Sequence, residues 1–250
     1  MKTNQLTIAG SDILSGGGLQ ADLLTFHQLD GFSFLATTCL TSIKDGQFEI
    51  HPTEIEIFRK QLASLMDVPF AAIKIGLLPN SEIAEATKNF IKAKQESKIV
   101  LDPVLVFKEN NDATVVTMAE QIKGMFPYVD IITPNLKEAE LLSGVPIIDE
   151  KSMLEAAKVL KALGAKSLVI KGGNRLVSDK AIDLYMDPSK WFMLEKPVLS
   201  RNNNGAGCTF ASAIASYLSK GNEMEKAVEL AKDFVYQAIE KSNEYGVVIE

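Results

Sequence analysis

Short apolar runs alternate with longer helical patterns along almost the whole chain, and that alternation most narrows the folds open to it. "QLTIAG" (Gln5 to Gly10) reads as a buried strand. "GLQADLLTFHQLD" then spaces Leu19, Leu23, Phe26 and Leu29 as one helical face. "FSFLATTCLTSI" (Phe32 to Ile43) reads as one further strand. A helix is expected from Thr53, read as an N-cap with Glu56 three residues on. "AAIKIG" and "KIVLDPVLV" read as strands on either side of the helix "SEIAEATKNFIKAKQ". "VDIITPN" is a strand that turns at Pro134, and "DEKSMLEAAKVLKALG" is a helix stopped by Gly164. "SLVIKGG" is a strand stopped by two glycines. Helices set between apolar strands imply βαβ crossovers and a parallel sheet. No linker-like or low-complexity stretch interrupts the pattern, so residues 1–250 are expected to form one α/β domain.

Composition removes several classes of function. The net charge is −6 with no basic block, which argues against a nucleic-acid partner. No apolar run approaches the roughly 18 residues of a membrane span. The start, "MKTNQLTIAGSD", lacks the apolar stretch and cleavage site of a signal peptide. Cys39 and Cys208 are the only cysteines, too few for a disulfide framework, and a cytoplasmic protein is expected.

In open sheets of this kind ligands sit beyond the carboxyl ends of the strands. Gly10 to Asp12, Asp102, Asn135 and Lys171 to Gly173 all fall there. "NGAGCTF" opens a long apolar helix with Gly205, Ala206, Gly207 and Cys208. First-turn amides are unpaired and carry the positive end of the helix dipole, and glycines let an anion approach them. A thiol at such a turn is expected to have a lowered pKa. The competing reading is a glycine turn with Cys208 as a small core residue.

"GSDILSGGGLQAD" carries Asp12 and Asp22 around a second glycine cluster, which matches neither the Gly-Lys-Ser/Thr phosphate loop nor the dinucleotide fingerprint. It reads either as a ligand cradle or as a tight strand-to-helix turn. Asn135 and Glu138, three apart at a helix start, could hold a hydrated Mg²⁺ beside phosphates, or form a capping box. Lys171, Gly172, Gly173, Asn174 and Arg175 could meet a nucleotide, or merely end a strand. Asp102, before Pro103, could serve Mg²⁺ or a proton relay, or cap a turn. His27 and His51 have no metal-ligand neighbour at useful spacing.

"TIAGSD", "SGGGLQADLLTF", "KIGLLP", "VLDPVLV", "ITPNLKEAELLSG", "VIKGG" and "NGAGCTF" follow one another over almost the whole chain. In this the chain resembles the vitamin kinases of the ribokinase superfamily, and among them the pyridoxal kinases related to hydroxymethylpyrimidine kinase. The resemblance implies a three-layer α/β/α sandwich around a mostly parallel sheet, in a homodimer. It also implies transfer of a phosphoryl group from ATP-Mg²⁺ to the hydroxymethyl group of a small heteroaromatic vitamer, and leaves a monovalent-cation requirement open.

By the same resemblance, Gly205, Ala206 and Gly207 form an anion hole and Cys208 activates the substrate hydroxyl. Asn135, Lys171, Gly172, Gly173, Asn174, Arg175, Asp183, Gly207 and Lys232 fall at ATP positions, and Glu138 and Asp102 at the metal. Gly10, Asp12, Asp22, Thr41, Ile43 and Leu77 fall at the vitamer pocket.

Three departures qualify the resemblance. Ile43 stands where hydroxymethylpyrimidine kinases typically carry a glutamine that pairs with the ring's polar edge. A site lacking that buried partner discriminates strongly, which favours B6 vitamers over the pyrimidine. Phe107 stands where related pyridoxal kinases often carry a lid cysteine, and the polar stretch at 107–116 is expected to be a mobile lid. The Gly-Pro-rich end usual in the family is replaced by "EYGVVIE". Hydroxymethylpyrimidine (phosphate) kinase, and a vitamer- or nucleotide-binding protein without catalysis, remain as alternatives.

Overall fold

The computed structural model of the chain describes residues 2–105 and 112–250. In chain order its elements begin β1 (Thr3–Ala9), α1 (Gly18–Gln28), β2 (Gly31–Thr37), β3 (Cys39–Lys44) and β4 (Gln47–Pro52). There follow α2 (Ile55–Ser64), β5 (Ala72–Ile75), α3 (Ser81–Lys92), β6 (Lys98–Leu101) and α4 (Asp112–Lys123). Then come β7 (Ile131–Ile132), α5 (Leu136–Ser143), α6 (Glu150–Ala162) and β8 (Leu168–Lys171). The chain finishes with β9 (Lys180–Met186), β10 (Trp191–Pro197), α7 (Ala206–Ser219) and α8 (Met224–Glu240).

Among the described residues eight strands form one sheet in the order β10-β9-β8-β7-β6-β5-β1-β2. The pairs from β2 to β8 are parallel, whereas β9 and β10 run antiparallel at one edge. The strand–helix alternation implies this mostly parallel sheet, and the helices on its two faces make the three-layer sandwich that the resemblance implies. Period-two alternation divides the buried side chains between the faces: Ile99 and Leu101 pack with the α2–α6 side, Val100 with α7 and α8. Met118, Met125 and Met153 lie in the first of these cores, as ordinary apolar residues do.

Two local expectations are corrected. The run Phe32 to Ile43 is two strands, because the chain leaves the sheet at Thr38. There the Thr38 amide still donates to Ala9 O (2.9 Å), its hydroxyl donates to Leu77 O (2.7 Å), and Cys39 then starts a separate hairpin with β4. Helix α2 is capped by Glu54 rather than Thr53: the Glu54 carboxylate accepts from the amides of Glu56 (3.1 Å) and Ile57 (3.0 Å). The Thr53 hydroxyl instead donates to Thr37 O (2.8 Å). Of the stretch expected to be a lid, residues 107–111 lie outside the described residues, Phe107 among them, and α4 begins at Asp112. Among the described residues no helix is long and apolar enough to cross a membrane.

Candidate active site

The carboxyl ends of β1, β5, β6, β7 and β8 bring Gly10, Leu77, Asp102, Asn135 and Lys171 to one edge of the sheet, and the start of α7 lies against them. Gly205 precedes α7 in the left-handed region (φ 82°). A side-chain carbon there would overlap the carbonyl oxygen of Gly16, so the position is closed to every other residue. No side chain caps α7, which leaves its first turn electropositive. The Ala206 amide, however, donates to Asn203 O (3.1 Å). Its expected place among the anion-hole donors is therefore corrected, and Gly207 and Cys208 supply the first-turn amides. Gly207 also admits Lys171, whose Nζ would lie 3.2 Å from a side-chain carbon at that position.

A cleft of about 420 Å³ opens beside this turn. Its walls include Asn135, Lys171, Gly172, Gly173, Asn174, Arg175, Asp183, Gly207 and Lys232, so all nine expected ATP residues face one space. Asp183 Oδ1 accepts from the amides of Gly172 (3.0 Å) and Gly173 (3.4 Å), and Oδ2 accepts from Lys232 Nζ (2.6 Å). Asp183 thus shapes the glycine turn and ties it to α8. Leu199, Phe210, Val235 and Tyr236 add an apolar wall that local sequence did not announce, because it is assembled from a loop and two helices.

Asp102 and Glu138 are 2% and 4% exposed. Asp102 Oδ1 accepts from Lys171 Nζ (2.7 Å) and from the Thr133 hydroxyl (3.1 Å). Asn135 and Glu138 form the capping box, each side chain accepting from the other's amide (3.0 and 2.7 Å). The capping reading is therefore correct, and it also sets Glu138 beside Lys171 and Asp102. Burial pushes Glu138 up to about 7 against the pull of Lys171. Burial opposes the charge of Lys171, yet Asp102 and then Glu138 outweigh it and hold the ammonium above the ordinary range. Among the described residues no group of three or more His, Cys, Asp or Glu could hold a metal by itself. Two buried carboxylates do suit Mg²⁺, which takes its remaining ligands from phosphates and water.

Beneath Cys208 lies a network with no counterpart in the expectations. Lys74 on β5 and Asp22 on α1 are fully buried and paired, with Nζ 2.8 Å from both carboxylate oxygens. Thr7 (2.6 Å) and Ser212 (2.7 Å) donate to the same carboxylate. Asp22 is therefore no wall of a vitamer pocket: it is saturated and closed to solvent, and its expected ligand contact is corrected to an internal one. The only trace of Lys74 in the sequence is a lysine inside the apolar strand "AIKI".

The expected lowering of the Cys208 pKa is likewise reversed. Burial pushes the thiol up to about 11, outweighing the opposing pull of Lys74 and the hydrogen bond from the Gly18 amide. Cys208 nevertheless keeps part of its surface open.

At the carboxyl end of β1, Gly10 leaves room for Cys39, whose sulfur any side chain at position 10 would overlap, and for Leu77. Asp12 accepts from the amides of Leu14 (3.0 Å) and Gly17 (2.8 Å). The Thr41 hydroxyl donates to Ser11 O (2.9 Å) and accepts from the Ile13 amide (3.0 Å). Both shape the glycine loop, and Thr41, expected at the vitamer pocket, spends its hydroxyl on that loop. Cys39 and Thr41 touch the loop, so by alternation Ile43 faces the same side of the hairpin. Ile43 is 47% exposed and pairs in register with Phe48, 36% exposed, which widens the apolar surface and was not picked out beforehand.

The phosphomethylpyrimidine kinase family matches residues 12–249. A pyridoxine kinase of Bacillus subtilis is 37% identical over 244 residues, covering 95% of this chain and 90% of that protein. A hydroxymethylpyrimidine/phosphomethylpyrimidine kinase of Haemophilus influenzae is also 37% identical over 244 residues, covering 94% of this chain and 90% of that protein. The pyridoxal kinase of Staphylococcus aureus in complex with AMP-PCP superposes with a TM-score of 0.92 at 35% identity, over 99% of this chain and 93% of that one. A match over nearly the whole length, on the fold and cleft described above, places this chain in the phosphomethylpyrimidine kinase family.

Proposed function

We propose that the chain is an ATP-dependent kinase of pyridoxal, pyridoxine and pyridoxamine, acting as one kinase domain. The observation that carries the choice of substrate is the apolar face of the β3–β4 hairpin, where Ile43 and Phe48 stand together. Such a surface stacks on a pyridine ring and offers no partner to the polar edge of an aminopyrimidine. The ring hydroxymethyl oxygen attacks the γ-phosphorus, and the bond from that phosphorus to the β–γ bridging oxygen breaks. The transition state spreads charge over the transferred oxygens, toward which the amides of Gly207 and Cys208 and the Lys171 ammonium are directed. Because that state is loose, the alcohol proton leaves late, and Cys208 receives it as thiolate. Glu138 and Asp102 would hold Mg²⁺, which neutralises phosphate charge when bound.

A panel of pyridoxal, pyridoxine, pyridoxamine and hydroxymethylpyrimidine with ATP-Mg²⁺, repeated in K⁺ and Na⁺, tests the assignment. B6 vitamers are expected to win, and Ile43→Gln should move the ratio about tenfold or more toward the pyrimidine. Preferred turnover of the pyrimidine by the wild type would establish the second reading, which the Haemophilus influenzae relative supports. No vitamer-dependent ATP consumption at all would leave a binding protein.

A cation binds ionised Glu138, so Mg²⁺ affinity should rise as pH rises through about 7. The half-activating Mg²⁺ concentration should fall about tenfold from pH 6 to pH 8. Glu138→Gln should flatten that change, and an identical slope in the variant would remove Glu138 from the metal's ligands.

A homodimer is proposed from exposed Phe32 and Leu35 on the edge strand β2, with Leu40 on the hairpin. A monomer mass in sedimentation at micromolar concentration would refute it. A cytoplasmic setting agrees with two free cysteines and no disulfide.

A further inference from the structure

Three segments far apart in sequence meet at the base of the Gly205 turn, and they meet through glycines. A side-chain carbon on Gly205 would overlap Gly16 O, and one on Gly16 would overlap the side-chain Nδ2 of Asn204 and lie 2.7 Å from Tyr245 O. One on Gly246 would lie 2.8 Å from Asn204 O and 3.0 Å from the Gly16 Cα. At Gly205 and Gly246 backbone therefore packs on backbone, and at Gly16 the Asn204 side chain fills the remaining space.

Hydrogen bonds join the same segments. Asn204 Nδ2 donates to Tyr245 O (2.9 Å), and the Val247 amide donates to Asn204 O (3.0 Å). Asn202 Nδ2 donates to Asn243 O and Glu244 O (both 3.0 Å). Every one of these bonds ends on Asn202 or Asn204, just ahead of Gly205. The partner turn is itself held: Asn243 Oδ1 accepts from the amides of Tyr245 (2.8 Å) and Gly246 (3.1 Å). The Val248 amide donates to Ala238 O on α8 (3.1 Å), the helix that also carries Lys232 of the nucleotide cleft. None of residues 243–247 lines that cleft.

We propose that the turn of residues 243–247 is a positioning element, which aims the Gly207 and Cys208 amides by clamping residues 202–205 against the glycine loop. The inference rests on the anion-hole reading above. Its physical basis is that an oriented donor loses its value when displaced by a fraction of an ångström. Residues 202–204 carry no side-chain cap for α7 and need an external template. The turn supplies that template from outside the cleft, with Asn243 and Glu244 bordering only an adjoining depression beside Asn174 and Arg201, so its loss should fall on turnover far more than on nucleotide affinity.

Two full-length variants test this. Gly246→Val wedges the junction apart, and Asn202→Ala removes two of the clamping bonds from a half-buried position. Gly246→Val should lower kcat about 10–100-fold, and Asn202→Ala should lower it about 3–10-fold. AMP-PCP affinity should fall far less than kcat in both, by about threefold at most, since only Asn203, Ala206 and Gly207 of the cleft lining are displaced. The rate at which iodoacetamide modifies Cys208, followed by peptide mass, should rise several-fold in Gly246→Val, because the loosened turn exposes the sulfur. That rate needs no vitamer turnover, so it tests the clamp even if the wild type phosphorylates nothing. Unchanged kcat and unchanged alkylation would overturn the proposal. So would a loss of turnover matched by lost nucleotide affinity and a lowered melting temperature, which would mark a general defect in folding.

Discussion

Gly205→Ala is expected to lower turnover about 100-fold or more, because it moves the amides that face the transferred phosphate by on the order of 1 Å. Two costs combine. The left-handed backbone at this position disfavours any residue with a Cβ by about 1–2 kcal/mol. The added carbon also overlaps a backbone oxygen, that of Gly16, which has no rotamer to escape into. The glycine loop and the turn before α7 must separate, and both border the thiol. The melting temperature should fall by about 3–8 °C, which is compatible with a folded enzyme. Turnover within threefold of the wild type would show that this turn does not set the donors.

Cys208→Ala should remove about 100- to 10,000-fold of turnover, the range for loss of a positioned proton acceptor, with AMP-PCP affinity little changed. The raised pKa of the thiol adds a stricter expectation. At neutral pH Cys208 rests protonated, and its thiolate is a minor form. Where that form limits the rate, kcat should climb with pH from 7 toward 10 by up to about tenfold per unit. Cys208→Ser, whose hydroxyl ionises far less readily, should be nearly as slow as the alanine variant. Near-normal turnover of Cys208→Ala would end the role of Cys208 as base and leave catalysis to the amides and Lys171.

The features legible in advance were local ones. Strand and helix follow from period two and period 3.6 over a handful of residues, and the parallel run of β1, β2, β5, β6, β7 and β8 follows from the helices that separate them. The glycine turns were legible for the same reason. The nine cleft residues were named through the family resemblance: Asn135, Lys171 to Arg175 and Gly207 follow strand ends or open a helix beside one, whereas Asp183 and Lys232 come from the middle of β9 and α8 and join them through their ion pair. What failed was any judgement that needed a neighbour from elsewhere. Thr53 looked like a cap, but its hydroxyl is taken by Thr37. Asp22 was expected at the vitamer pocket, yet Lys74, some fifty residues on, draws it inward.

The chain's own pattern thus determined the α/β layering, the placing of glycines and polar residues at the strand ends, and an electropositive helix start beside Cys208. Periodicity, turn chemistry and capping act over a few residues and leave their mark in the primary structure. Only the folded molecule decided the burial of the Lys74–Asp22 pair, the protonated resting state of Cys208 and the clamp of residues 243–247 upon Asn204. Desolvation and backbone-on-backbone packing depend on which distant segments share a place, and no local stretch carries that information.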